Sequence, residues 1–236
     1  MLPFLRSFIP ENLLSGSLLL VDKPKGWTSF DAVNKIKNLV RKKFNLSKFK
    51  VGHSGTLDPM ATGLLLVCTG SWTKELHQLQ GLDKKYLAEI TLGVETNTYD
   101  AEGDIVFSKE VPELSIADIT NCIQPFIGNI DQIPPAFSAI KKDGKPNYEL
   151  ARAGKEVKLE PRRVTVFSIK ILDFSSPKLT IEVHSGSGFY VRSLAHDIGA
   201  SLGCGGHLSA LRRTAVGEYQ LKDAVTMEEI RDRFGN

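Results

Sequence analysis

The sequence predicts an α+β fold built on one predominantly antiparallel mixed sheet flanked by helices and loops. Three observations predict it. "RVTVFSIKILDF" (163–174) and "KLTIEVHSG" (178–186) alternate apolar with polar residues and pair as an antiparallel hairpin around Ser175–Lys178. Two other stretches, after Thr28 and from Tyr190, carry the 3.6-residue period of an amphipathic helix. Strands and helices show little strict βαβ alternation, which argues against a parallel, doubly wound sheet.

The elements follow in order. "GSLLLVDKPKGW" reads as a buried strand, Leu18–Val21, ended by a Pro24/Gly26 turn. Thr28 with Asp31 three residues on makes a capping box for a helix that turns Phe30, Val33, Ile36, Leu39 and Val40 inward. A loop opens at Val51, and an apolar strand, Leu64–Cys68, follows it. "TKELHQLQ" reads as a short helix and "KYLAEITLG" as a strand ending at Gly93. "ETNTYDAEGD" is a turn-rich connection and "IVFSKEV" a strand. "SIADITNCIQPFIG" reads as a helix starting near Pro112 or Ser115, with Gly128 after its end. Residues 133–163 are basic and loop-like, with room for a short helix in "NYELARAG". "YVRSLAHDIGASLG" is a helix with Val191, Leu194, Ala195 and Ile198 inward, and "HLSALRRTAVG" gives a last strand. No linker divides the chain, so residues 1–236 are expected to form a single domain.

The composition, 42% hydrophobic and 24% charged, is that of an ordinary globular protein able to bury a core. Three cysteines without a CxxC pair point to a reducing compartment. The N-terminus lacks a cleavage site of the secretory kind, and no apolar run is long enough for a bilayer. A cytoplasmic protein is expected. The net charge of +3 is segregated: ten Lys/Arg against three Asp/Glu in residues 1–50, four against twelve in 51–140, and sixteen against twelve in 141–236. The basic clusters, at the N-terminus and in 141–163, suit a polyanion, although solvated surface explains either one alone.

Most catalytic signatures are absent. There is no P-loop, no GxSxG elbow, and no metal-ligand spacing among the five histidines, so no metal site is expected. What stands out is "VGHSGTLDPMATGLLLVCTG" (51–70), which sets Asp58 just before an apolar strand and among glycines. Asp-Pro is a common way to start a turn. A carboxylate at the lip of a rigid strand is also well placed for chemistry, and glycines let a ligand's backbone come close.

"GHSGTLDPMATGLL" resembles the catalytic motif of the tRNA pseudouridine-55 synthases, the TruB family. "LLLVDKPKGWTS", "DKKYLAEITLG", "IPPAFSAIKKDGKPNYELARAG" and "GFYVRSLAHDIGASLGCGGHLSALRRTAVG" resemble further motifs of that family in the same order, from about Gly16 to Val225. The resemblance implies the pseudouridine synthase fold, a tRNA T-arm as partner and no cofactor. It also implies isomerisation of a flipped uridine in the TψC loop.

The same resemblance gives residues their roles. Asp58 matches the catalytic aspartate, which either attacks C1′ or assists departure of uracil; burial alone would raise its pKa. Arg192 matches the arginine that pairs with that aspartate, and Tyr86 the tyrosine that stacks on the target base. His53 matches the histidine that wedges into the T-loop. Tyr190 and Leu211 are implied as pocket wall, and Lys23 belongs to a motif behind the active-site loop. Lys141, Lys142 and Lys145 lie in an RNA-clasping insertion, about 133–163. Two departures stand out. Asn97 replaces a frequent Asp, which questions one local hydrogen bond, and the chain resembles the catalytic domain alone, so the small RNA-binding domain that many members append is expected to be absent. Alternatives are a non-catalytic RNA-binding or tRNA-folding module, and a synthase of this fold acting on another RNA.

Overall fold

The structure is a computed structural model that describes residues 4, 9–137, 141–142, 145–146 and 159–235. In chain order the elements are helix α1 (Asn12–Ser15), strand β1 (Leu18–Lys23), helix α2 (Ser29–Lys43), strands β2 (Val51–Ser54) and β3 (Thr62–Thr69), and helix α3 (Leu76–Gln80). Strands β4 (Lys84–Leu92), β5 (Val94–Thr96) and β6 (Ile105–Ser108) precede helix α4 (Ile116–Ile123). Next come strands β7 (Gly128–Gln132), β8 (Lys141–Lys142), β9 (Lys145–Pro146), β10 (Arg162–Ser175) and β11 (Lys178–Ser185), then helix α5 (Val191–Ser201). The chain continues through β12 (Gly206–Val216), β13 (Tyr219–Gln220), β14 (Val225–Thr226) and helix α6 (Met227–Arg233). They fall into two compact units, Met1–Tyr86 with Leu211–Asn236, and Leu87–Ala210.

In the first unit β1 pairs antiparallel with β3, from Leu18↔Cys68 to Lys23↔Gly63, and parallel with β14. Both long strands are apolar at almost every position because both faces are covered. Leu19, Val21, Leu65 and Val67 pack on one face against Ala32, Ile36 and Val40 of α2 and Ile230 of α6. Leu18, Leu20, Leu64 and Leu66 pack on the other against Leu79, Val216 and Tyr219. The beginning of the expected loop is a strand: β2 pairs with β3 from Val51↔Thr69 to Ser54↔Leu66.

Helix α2 begins with the expected capping box, in which the Thr28 hydroxyl accepts from Asp31 N and the Asp31 carboxylate accepts from Thr28 N. Phe30, however, does not face the core; it is 67% exposed. An i+3 repeat drifts by about 60° per step, so a row that is inward at Ile36 has turned out by about 120° at Phe30. The buried row is Ser29, Ala32, Val33, Ile36, Leu39 and Val40.

In the second unit the strand order is β12–β4–β11–β10–β7. The hairpin of β10 and β11 forms as expected, closing at Ser175↔Lys178. Helix α4 takes Ser115 as its cap and ends at Ile123, before Pro125, which has no N–H for a further helical bond. Gly128 therefore opens β7, which pairs antiparallel with the start of β10, rather than ending a helix. Within the basic segment β8 and β9 form a two-residue ladder, while the short helix considered in "NYELARAG" lies outside the described residues. Nor is β12 the last strand, since β13, β14 and α6 follow. The pairings are mostly antiparallel, and the fold is α+β.

The two sides of α2 should respond differently to truncation. Ile36→Ala should destabilise the protein by about 2–5 kcal/mol, and Phe30→Ala by no more than about 0.5 kcal/mol. Denaturant unfolding of both variants checks this.

Candidate active site

The turn that carries Asp58 leaves β2 at Ser54 and enters β3 at Thr62, and neighbouring segments of the first unit hold it at successive residues. The carbonyls of Gly55 and Thr56 accept from Arg213, at 3.2 Å from Nη2 and a long 3.5 Å from Nη1. Leu57 N donates to the Ser29 hydroxyl at 2.8 Å, and that hydroxyl donates to the Leu57 carbonyl at 3.2 Å. The Pro59 carbonyl accepts from Gly26 N at 2.8 Å. Asp58 itself is half-buried, and its carbonyl accepts from Ala61 N at 3.1 Å, so the Asp-Pro step does make a turn.

Lys23 is the last residue of β1. It is fully buried, and its Nζ donates to the carbonyls of Pro24 at 3.0 Å and Trp27 at 2.5 Å. It thereby closes the segment whose Gly26 holds Pro59.

Arg213 is the residue that sequence reasoning missed. It is 1% exposed, on the inward row of β12 with Leu211 and Ala215. Its Nε donates to the Leu64 carbonyl at 2.7 Å, and the Tyr86 hydroxyl interacts with the guanidinium. Burial pushes its pKa down, and the Tyr86 hydroxyl works the other way. Alternation was the available signal: Leu211, Arg213 and Ala215 occupy every second position of one strand. The glycines serve this packing. At Gly63 (φ +102°), a side chain would overlap the Arg213 carbonyl oxygen, and at Gly52 it would come within 2.6 Å of Leu76.

Tyr86 is buried on the inward row of β4, together with Lys84 and Ala88. Lys84 Nζ donates to the carbonyls of Gln80 and Leu82, both at 2.6 Å. Burial, helped by the Arg213 charge, lowers its pKa to about 8. His53 lies on β2, and its Nδ1 is buried with no hydrogen-bond partner among the described residues. Burial first and Arg213 second hold its pKa below 6.5, opposed by the Gly55 backbone. Leu211 is buried, and the neighbouring Arg212 donates to Asp22 at 2.6 Å.

In the second unit Arg192 is 5% exposed on α5. It lies 3.4 Å from the Asp100 carboxylate and donates to the carbonyls of Thr98 at 3.2 Å and Phe137 at 2.8 Å. Asp100 also accepts from the Thr98 hydroxyl at 2.6 Å and from Glu102 N at 3.0 Å. Between them Tyr99 takes a left-handed backbone (φ 62°) and stacks on His196, ring centroids 4.0 Å apart. Asn97 makes the local hydrogen bond that was in question, accepting from Asp104 N at 3.1 Å. Tyr190 precedes α5, and the buried Gln132 amide clamps it by donating to its carbonyl and accepting from its N–H. The side chains of Lys141, Lys142 and Lys145 lie outside the described structure.

Among the described residues no group of His, Cys, Asp and Glu is arranged to hold a metal ion. None of their helices is long and apolar enough to cross a membrane.

Comparison with known proteins bears on this geometry. Residues 41–191 match the model of the TruB family pseudouridylate synthase N-terminal domain. Residues 192–235 match that of the tRNA pseudouridylate synthase B C-terminal domain. A tRNA pseudouridine synthase B of Flavobacterium johnsoniae is 46% identical over 92% of this chain and 95% of its own. One of Phocaeicola vulgatus is 42% identical over 92% of both chains. Among solved structures, a chain of a Cbf5-Nop10-Gar1 complex superposes with a TM-score of 0.70 and 28% identity; the match covers 96% of this chain and 58% of that one.

The surroundings of His53 predict its titration. Because folding lowers its pKa, the unfolded chain takes up the proton first as pH falls below about 6.5, and stability should decline there. NMR titration should place His53 below 6.5, and His53→Gln should lessen the acid-side loss of stability. A His53 that titrates at or above 6.5 contradicts this reading.

Proposed function

We propose, for a chain that belongs to the TruB family of pseudouridylate synthases and isomerises uridine to pseudouridine in tRNA, that the target uridine lies in the TψC loop and that Asp58 carries the reaction. The observation that supports the residue assignment is the Arg213 guanidinium. It bonds to the turn bearing Asp58 and interacts with Tyr86, the aromatic side chain that the resemblance assigns to the target base.

The chemistry asks for this kind of arrangement. The C1′–N1 bond breaks, the uracil turns over, and C5 bonds to C1′. The proton lost from C5 is balanced by one gained at N1, so nothing is oxidised and no redox cofactor is required. In this reading Asp58 acts as a carboxylate, either attacking C1′ or assisting uracil departure. Tyr86 stacks on the flipped base, an interaction worth about 1–3 kcal/mol that offsets part of the unstacking cost. His53, neutral at pH 7 in this environment, takes the place of the departed uridine in the T-loop. Arg192, buried with its fork already oriented by Asp100, serves the same reaction as a fixed cation. The resemblance assigns Tyr190 and Leu211 each to pocket wall, and Lys141, Lys142 and Lys145 to contacts with RNA phosphates.

The direct test is incubation with unmodified tRNA, followed by chemical labelling to map pseudouridine. Product is expected at the T-loop uridine, and product only at other positions overturns the specificity. Asp58→Asn should abolish product while tRNA affinity stays within a few-fold, because the amide keeps the shape and loses the nucleophile.

A T-arm hairpin retains the loop shape and the base to be flipped. It should be modified with kcat/KM within about tenfold of full tRNA, a gap of roughly 1.4 kcal/mol. A hairpin left untouched while full tRNA is converted would show that recognition extends beyond the T-arm.

A further inference from the structure

We propose that Arg213 is a positioning residue for the isomerisation: its guanidinium ties the Asp58 turn to Tyr86 and holds both in the reacting arrangement. The inference rests on the reading that Asp58 and Tyr86 act on the substrate.

The geometry is specific to a planar fork. Nε is committed to the Leu64 carbonyl in β3, and the two Nη atoms reach Thr56 and Gly55, two and three residues before Asp58. Tyr86, on β4, completes the set. One side chain therefore bonds to the strand that follows the turn and to the turn itself, and interacts with the aromatic residue. A lysine ammonium is a single point with three donors and cannot span these acceptors.

Stability does not account for the residue. Arg213 is buried, and no described carboxylate pairs with it; its partners are three carbonyl dipoles and a phenol. Burying a cation without a counter-charge costs several kcal/mol, and an apolar side chain would fill the inward row of β12 at lower cost. The backbone is fitted to the task as well. Gly63 pairs in register with Arg213 and lacks the Cβ that would overlap it. The Gly55 carbonyl that accepts from Nη2 belongs to a residue with φ +83°.

The test is steady-state kinetics on tRNA with the full chain, alongside thermal unfolding. Arg213→Lys keeps the charge and loses the fork. It should lower kcat by at least fiftyfold with KM within threefold, whereas a loss of folded protein alone would give kcat in proportion to the folded fraction. Gly63→Ala keeps the guanidinium but displaces its backbone, and it should show the same split. In a cycle with Tyr86→Phe, the double variant should lose clearly less than the product of the two single losses, because both act through one contact. Parental kcat in Arg213→Lys or in Gly63→Ala, or fully multiplicative losses in the cycle, overturns the proposal. Asp58→Asn separates the two levels. If it is inactive while Arg213→Lys turns over like the parent, only the positioning role fails; if it is active, the assignment of Asp58 fails first.

Discussion

Four consecutive residues before Pro59, and Pro59 itself, set the terms on which the first unit works. Gly55 and Thr56 are gripped by Arg213, Leu57 by Ser29, and Pro59 by Gly26, so Asp58 is flanked on both sides by fixed backbone. Each grip comes from an element with its own reason to be where it is. Ser29 is the first residue of a capped helix, Gly26 lies in the turn that buried Lys23 closes, and Arg213 lies on a strand in parallel register with β3. The alternating core of β1 and β3 holds these elements in place, with one leucine-rich cluster on each face. A carboxylate on such a turn is oriented before any substrate arrives, which is what a positioned catalytic group requires.

The two units handle their buried arginines in opposite ways. Arg192 has Asp100 at 3.4 Å, and that carboxylate is itself bonded to Thr98 and Glu102. Among the described residues Arg213 has only carbonyls and a phenol, and its charge is felt by Lys84 and His53, both of whose pKa values it lowers. The Arg213 charge thus disfavours the protonated form of two other basic side chains of the first unit.

The elements legible in the sequence were those with an unambiguous period. The β10–β11 hairpin, the β4 alternation and the Thr28–Asp31 cap could be read directly because local pattern and tertiary environment agree there. Strand β7 could not, since "GNIDQ" has little β character and owes its state to pairing with β10. Phe30 was misplaced by a drifting i+3 row. Of the candidate site, Asp58 and Tyr86 could be read from motifs, but Arg213 and Asp100 could not. Alternation puts Arg213 on the row of Leu211 and Ala215, but the partners that define its role are supplied by the fold. Ser29 was hidden for the same reason: a hydroxyl at a helix start reads as a capping residue, and its bonds to Leu57 are set by tertiary structure.

The two-sided burial of β3 also bears on time. A loop ordinarily opens far more often than the core, because its backbone bonds face water and few contacts close over it. The turn at Asp58 is stapled to the segment after β1, to α2 and to β12, and its own stem is β3, whose residues from Gly63 to Thr69 are all buried. Amide protons of that stem can reach solvent only when the surrounding unit comes apart. The turn is therefore expected to open with the core rather than with the surface.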